Sequence, residues 1–152
     1  MTEVAKAVGI SQAYVYRLFP NKELLFTAVV EHCFVQVRAA LERAAAEAKG
    51  SLPEVVLGVM GDAYAQLISE NDLMLIQLHA QAAVVSEPAV REAVRQGYAR
   101  LVKYVRGASG GSEEQVQEFF ALGMLCHLIV SMGAGEVDAP WTRTLTAGIG
   151  HY

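Results

Sequence analysis

Cysteine is scarce in this sequence: Cys33 and Cys126 are the only two in 152 residues. Far apart and with no signal peptide ahead of them, they offer no disulfide framework and point to a reducing compartment, the cytoplasm. Long apolar runs are missing too. The longest uncharged stretch, Phe119 to Gly135, contains His127 and three glycines and falls short of the ~20 apolar residues of a spanning helix, so no membrane partner is expected. Strand signals are absent: nothing shows sustained alternation, β-branched enrichment or hairpin turn pairs, which leaves an all-α fold. Nor is there a surplus of base, since a formal net charge of −4 argues against a surface built for nucleic acid throughout. There is no internal repeat and no low-complexity linker, so any division of the chain is functional rather than a break in it.

What is present is apolar and helical. A content of 53% hydrophobic and 18% charged residues suffices for one ordinary core. Charge is unevenly spread: Met1 to Lys22 holds Lys6, Arg17 and Lys22 against Glu3 alone, and the rest of the chain carries the acidic excess. A weakly basic front on an acidic body suits a small DNA-contacting head, because phosphates need cations only where the duplex lies.

Helix punctuation supplies the order of elements. Thr2 is placed to cap a short helix that Gly9 ends, and Ser11 to cap a second, Gln12 to Phe19, that stops at Pro20. Asn21 caps a long helix from Lys22 to Lys49, ended by Gly50, with Leu24, Leu25, Ala28, Val29, His32, Val35 and Ala39 on one broad face. Four more are predicted over Leu52–Ser69, Asp72–Val85, Pro88–Arg106 and Ser112–Met132, with breaks at Glu70-Asn71, Ser86-Glu87 and Gly107 to Gly111. A short piece follows Pro140. In the front pair, Ala5, Val8, Ile10, Val15 and Phe19 form an inner face, with Gly9 letting the helices approach. Left outward are Gln12, Ala13, Tyr14, Tyr16 and Arg17, side chains suited to phosphate oxygens and base edges.

Val4-Ala5, Gly9-Ile10-Ser11 and the run Tyr14-Val15-Tyr16-Arg17-Leu18-Phe19-Pro20-Asn21-Lys22-Glu23-Leu24-Leu25 together resemble the helix-turn-helix of the TetR (tetracycline-repressor-like) family and its junction to the next helix. The resemblance implies that Gln12 to Phe19 lies in the major groove as the recognition helix. Arg17 and Gln12 are then the candidates for base reading, and Tyr16, Lys22 and Thr2 match positions that meet the phosphate backbone. The family's first helix, often basic, has no counterpart ahead of Thr2. The implied fold is therefore an incomplete TetR-like head on a helical ligand-binding and dimerisation body, divided as residues 1–32 and 33–152. The implied partners are double-stranded operator DNA, a small-molecule effector and a second copy of the chain.

The body offers two further expectations. Gln115 to Met132 is apolar around nearly its whole circumference, through Val116, Phe119, Phe120, Leu122, Met124, Leu125, Leu128, Ile129 and Val130, so one side faces the core and the other a second subunit. By resemblance the homodimer forms through the C-terminal helices, Ser112–Met132 with Pro88–Arg106 or the tail after Pro140. Bulky and polarizable residues, Met60, Tyr64, Leu67, Met74, Leu78, Tyr98, Phe119 and Met124, are the candidates for a ligand cavity. Ordinary core filling accounts for any one of them; the resemblance tilts the set towards a pocket. Tyr64, His79 and His127 are placed to orient a ligand. Neighbouring Cys and His at 32–33 and 126–127 diverge by about 100° on a helix and make a poor metal pair, so no metal or other cofactor is expected. No nucleophile–base pair or phosphate loop suggests an enzyme. The expected function is a repressor released from its operator by a small, largely apolar ligand, with a DNA-independent helical binding protein as the alternative.

Overall fold

A computed structural model describes residues 1–70 and 72–149. Asn71, in the expected break at Glu70-Asn71, and positions 150–152 of the expected body lie outside the described residues. Among those described, the elements are α1 (Thr2–Val8), α2 (Gln12–Leu18), α3 (Lys22–Glu47), α4 (Pro53–Glu70), α5 (Leu73–Ala83), α6 (Pro88–Ser109), α7 (Glu113–Ser131), a 3-10 turn (Ala134–Glu136) and α8 (Pro140–Thr146), with no strand. The all-α reading holds.

α3 is the axis of the body. It packs against α6, α4 and α5, while α4 also meets α7. The buried core gathers Val30, Phe34, Val37 and Leu41 from α3, Val56 and Met60 from α4, and Val90, Leu101 and Val105 from α6. Full burial stabilises side chains of these kinds by roughly 1.5–3 kcal/mol each. The face expected of α3 is corrected here: Leu24, His32 and Val35 are exposed, and Cys33, Val37, Ala40, Leu41 and Ala44 are buried instead. α3 is apolar around much of its girth, so spacing alone did not single out the side its neighbours would take. By length and composition α3 would also serve to cross a membrane, although its scattered charged residues keep it from being an uncharged run. In this fold its apolar side is occupied by α4, α5 and α6.

Local chemistry sets the ends. α6 begins with Pro88 in its first turn and runs to Ser109 rather than Arg106, because Gly110, at φ 66°, takes the left-handed turn. α7 opens with a reciprocal cap: Ser112 Oγ accepts from the Gln115 N–H at 3.2 Å, and Gln115 Oε1 from the Ser112 N–H at 2.9 Å. Across the body, Arg38 of α3 pairs with Glu42 at 2.6 Å and lies 3.8 Å over the Tyr104 ring of α6. That stacked guanidinium ties the two longest helices together on their exposed side.

Candidate functional site

α1 and α2 are joined by a tight turn that Gly9 makes possible. Its φ of 68° is left-handed, and Ile10 N–H reaches back to Ala5 O at 3.0 Å. A Cβ on Gly9 would meet nothing within 4 Å, so the residue serves the backbone turn and not the close helix approach expected of it. Thr2 lies inside α1 rather than capping it, and Met1 takes the cap position. Ser11 does cap α2, its Oγ accepting from Tyr14 N–H at 3.2 Å, and Asn21 Oδ1 caps α3 through Leu24 N–H at 2.8 Å. The helices α2 and α3 are thereby separated by only Phe19, Pro20 and Asn21.

Every candidate DNA contact, Thr2, Gln12, Ala13, Tyr14, Tyr16, Arg17 and Lys22, is exposed. At about 100° per residue, Gln12, Ala13, Tyr16 and Arg17 fall within an arc of about 140°, with Tyr14 about 60° beyond it. α2 holds no carboxylate, so nothing on that face repels a polyanion. The expected inner face is only half realised. Ala5 and Val15 are buried and Phe19 partly so, but Val8 and Ile10 are exposed. The physical reason is that α1 and α2 pack chiefly on each other, which shelters one side of each.

Between α4 and α7, floored by α3, lies a cavity of about 330 Å³. α4 contributes Glu54, Leu57, Gly58, Gly61, Asp62 and Ala65, and α7 contributes Gln115, Glu118, Phe119, Leu122, Gly123 and Cys126. Both stripes follow the three- and four-residue rhythm of one helix face. α3 adds Phe34, Val37 and Leu41, α6 adds Tyr98 and Leu101, and Gly148 and Ile149 approach from the chain's end. Cβ atoms on Gly58 or Gly61 would meet nothing within 4 Å. The space therefore exists partly because two mid-helix positions lack side chains, at a helix-propensity cost of roughly 1 kcal/mol each.

One corner of the cavity is polar. The Tyr64 hydroxyl donates to Gln77 Oε1 at 2.6 Å and is also hydrogen-bonded to His127 Nε2. With the single phenolic proton given to Gln77, Nε2 must carry the imidazole proton, leaving Nδ1 as a lone-pair acceptor. That Nδ1 is buried without a partner. Burial also lowers the pKa of His127, favouring its neutral form. Burial, first, raises the pKa of Tyr64, as it does that of Tyr98, so both phenols stay protonated.

Of the candidate ligand residues, Tyr64, Tyr98, Phe119 and Met124 line the cavity. The others lie elsewhere. Met60 is fully buried in the core, Leu67 edges a shallow groove between α3 and α4, Met74 and Leu78 are half-buried on α5, and His79 is exposed. His127 is off the lining, reaching it only through Tyr64. Side-chain bulk in the sequence does not point to the α3 residues, the glycines or Gln77, all of which line the cavity. The signal that would have found them is a glycine-bearing stripe on each of two helices. Among the described residues no three His, Cys, Asp or Glu side chains cluster as metal ligands.

No curated protein and no solved structure gives a significant match to the chain. Its front does have a known counterpart. Residues 1–29, which comprise α1, the glycine turn, capped α2 and the first turns of α3, match the family model of the bacterial regulatory proteins of the tetR family, so this front segment is similar to the DNA-binding segment of that family.

Proposed function

We propose that the chain is a repressor that a small, largely apolar ligand releases from its operator, acting as a cytoplasmic homodimer. The observation that carries this reading is the continuity of α3. One unbroken helix starts at exposed Lys22, beside the DNA-facing α2, and delivers Phe34, Val37 and Leu41 to the cavity. Lys22 and Phe34 stand about 18 Å apart along it at ~1.5 Å per residue. A ligand that favours one setting of α3 within the body therefore moves the α2 end with it, and only such a difference in affinity couples the two sites.

The same reading assigns Arg17 and Gln12 to base edges and Tyr16, Lys22 and Thr2 to phosphates. Two copies would space their α2 helices at about one turn of DNA, ~34 Å, over an approximately palindromic site. Exposed Leu128 on α7, Met132 just past its end and Trp141 on α8 support pairing through the C-terminal helices, since a monomer leaves them in water. Selection of duplexes from a random pool, followed by gel shift with and without a cavity ligand, tests the proposal. Recovery of a palindromic site whose affinity the bound ligand lowers is expected. Unchanged operator affinity with the ligand demonstrably bound would refute the coupling.

A second reading, a helical ligand-binding protein that works without DNA, draws on the exposure of Val8, Ile10 and Leu18, apolar side chains of the head that nothing covers. Ligand binding combined with failure to retard any duplex would select it.

A further inference from the structure

Among the described residues, the charged side chains that line the cavity carry one sign only. We propose that the cavity selects a small organic cation, a single positive group on an aromatic or branched apolar body; this rests on the cavity being the effector site and narrows its ligand class. Among the described residues, its lining includes the carboxylates of Glu54, Asp62 and Glu118 and no lysine, arginine or histidine. All three are exposed, at the solvent side of a space whose inner wall is apolar except at the Tyr64–Gln77 corner. None is paired: the ion pairs among the described residues are Arg38–Glu42, Arg106–Glu113 and Arg143–Asp138, all away from the lining.

Glu54 and Asp62 stand on one side of α4, about 12 Å apart along its axis at ~1.5 Å per residue, and Glu118 faces them from α7. Like charges around a low-dielectric cleft focus their field into it. The aromatic residues Phe34, Tyr64, Tyr98, Phe119 and Phe120 also line it, and aromatic π systems attract cations. The two phenols, held protonated by burial, add no charge of their own. An anion entering here would shed water among three carboxylates with no counter-charge, and a neutral molecule would gain apolar burial alone. Only a cation gains from both layers. A volume of about 330 Å³ lies at the small end of the ~300–1,000 Å³ typical of ligand sites, which suits one ring with a short arm.

The test compares three probes by calorimetry on the whole chain without DNA, at low and at high salt: benzyltrimethylammonium, its uncharged carbon isostere neopentylbenzene, and the anion 4-phenylbutyrate. The cation is expected to bind at least about tenfold tighter than the isostere at low salt, a difference of about 1.4 kcal/mol. High salt should shrink that advantage, because the carboxylates are exposed. The triple variant E54Q/D62N/E118Q should bring it below about twofold while leaving the isostere's affinity unchanged, and each single neutralisation should remove part of it. The proposal is overturned if the isostere or the anion equals the cation, if the advantage survives in the triple variant, or if none of the three binds. Absence of DNA keeps this result separate from repression. Operator release by a neutral cavity ligand would discard the cation class and keep the regulator, whereas a cation preference without operator release would do the reverse.

Discussion

The ring of Phe34 on α3 lies against the bare backbone of Gly97 on α6, so close that a Cβ at 97 would overlap three of its ring carbons. Phe34 is buried, stands edge-on to Tyr98 with centroids 5.4 Å apart, and lines the cavity. The absence of one methyl group thus sets the distance between α3 and α6, two of the helices that contribute to the cavity lining. Alanine in place of helical glycine ordinarily stabilises, by roughly 1 kcal/mol. At Gly97 the sign should reverse: G97A is expected to cost about 1–3 kcal/mol in urea unfolding, as overpacking does. G58A should instead stabilise by up to about 1 kcal/mol, since its Cβ meets open space. Equal effects at the two positions would mean that the Phe34 contact is not a constraint.

That pair shows which parts of the structure the sequence disclosed. Gly9, Ser11, Pro20, Asn21 and Ser112 act on the backbone within a few residues, so the helix ends they set were readable in order. The face of α3 was not, because Val29, Val30, Phe34 and Val35 are all apolar and only the arrival of α4 and α6 decides which go under. The cavity was the least legible. It arises from what Gly58 and Gly61 lack and from residues on several helices, while attention to large side chains led to Met60 and Leu67, which pack elsewhere.

His127 gives the chain a dependence on pH with a definite sign. Burial lowers its folded pKa below the ordinary 6.5, the value near which the unfolded chain titrates. In the interval below 6.5 and above the folded value, the unfolded state binds more protons, so stability falls as pH falls through that interval and is regained as pH rises. H127Q removes the titration while keeping a polar group beside Tyr64. Its stability, measured by denaturant from about pH 7 to about pH 5.5, should vary less with pH than that of the parent. Parallel curves would show that the imidazole is not what couples folding to protons here.

On the DNA side, the exposed set divides by role. Lys22, at the start of α3, is assigned to a phosphate, so K22A should weaken binding about equally for all duplexes and lower the salt slope by about one. Arg17 is assigned to a base edge. R17A should cost about 1–3 kcal/mol on the selected operator and relax preference at one position of each half-site. Fluorescence anisotropy on operator and scrambled duplexes at several salt concentrations separates these effects. A uniform loss from R17A would move that residue to the backbone class.

The two thiols report on the cavity from different positions. Both are free and buried, and burial raises their pKa values, that of Cys33 to about 11. Since the thiolate is the reactive form, labelling by a maleimide at neutral pH should be slow at both. Cys126 lines the cavity, whereas Cys33 does not, its Sγ instead lying 3.9 Å from Leu73 O. Cys126 should therefore label first, and a molecule filling the cavity should protect it while leaving the Cys33 rate unchanged. Peptide mapping by mass spectrometry distinguishes the sites. Protection of Cys33 together with Cys126 would mean that the ligand tightens the whole body, and protection of neither would place the ligand outside the cavity.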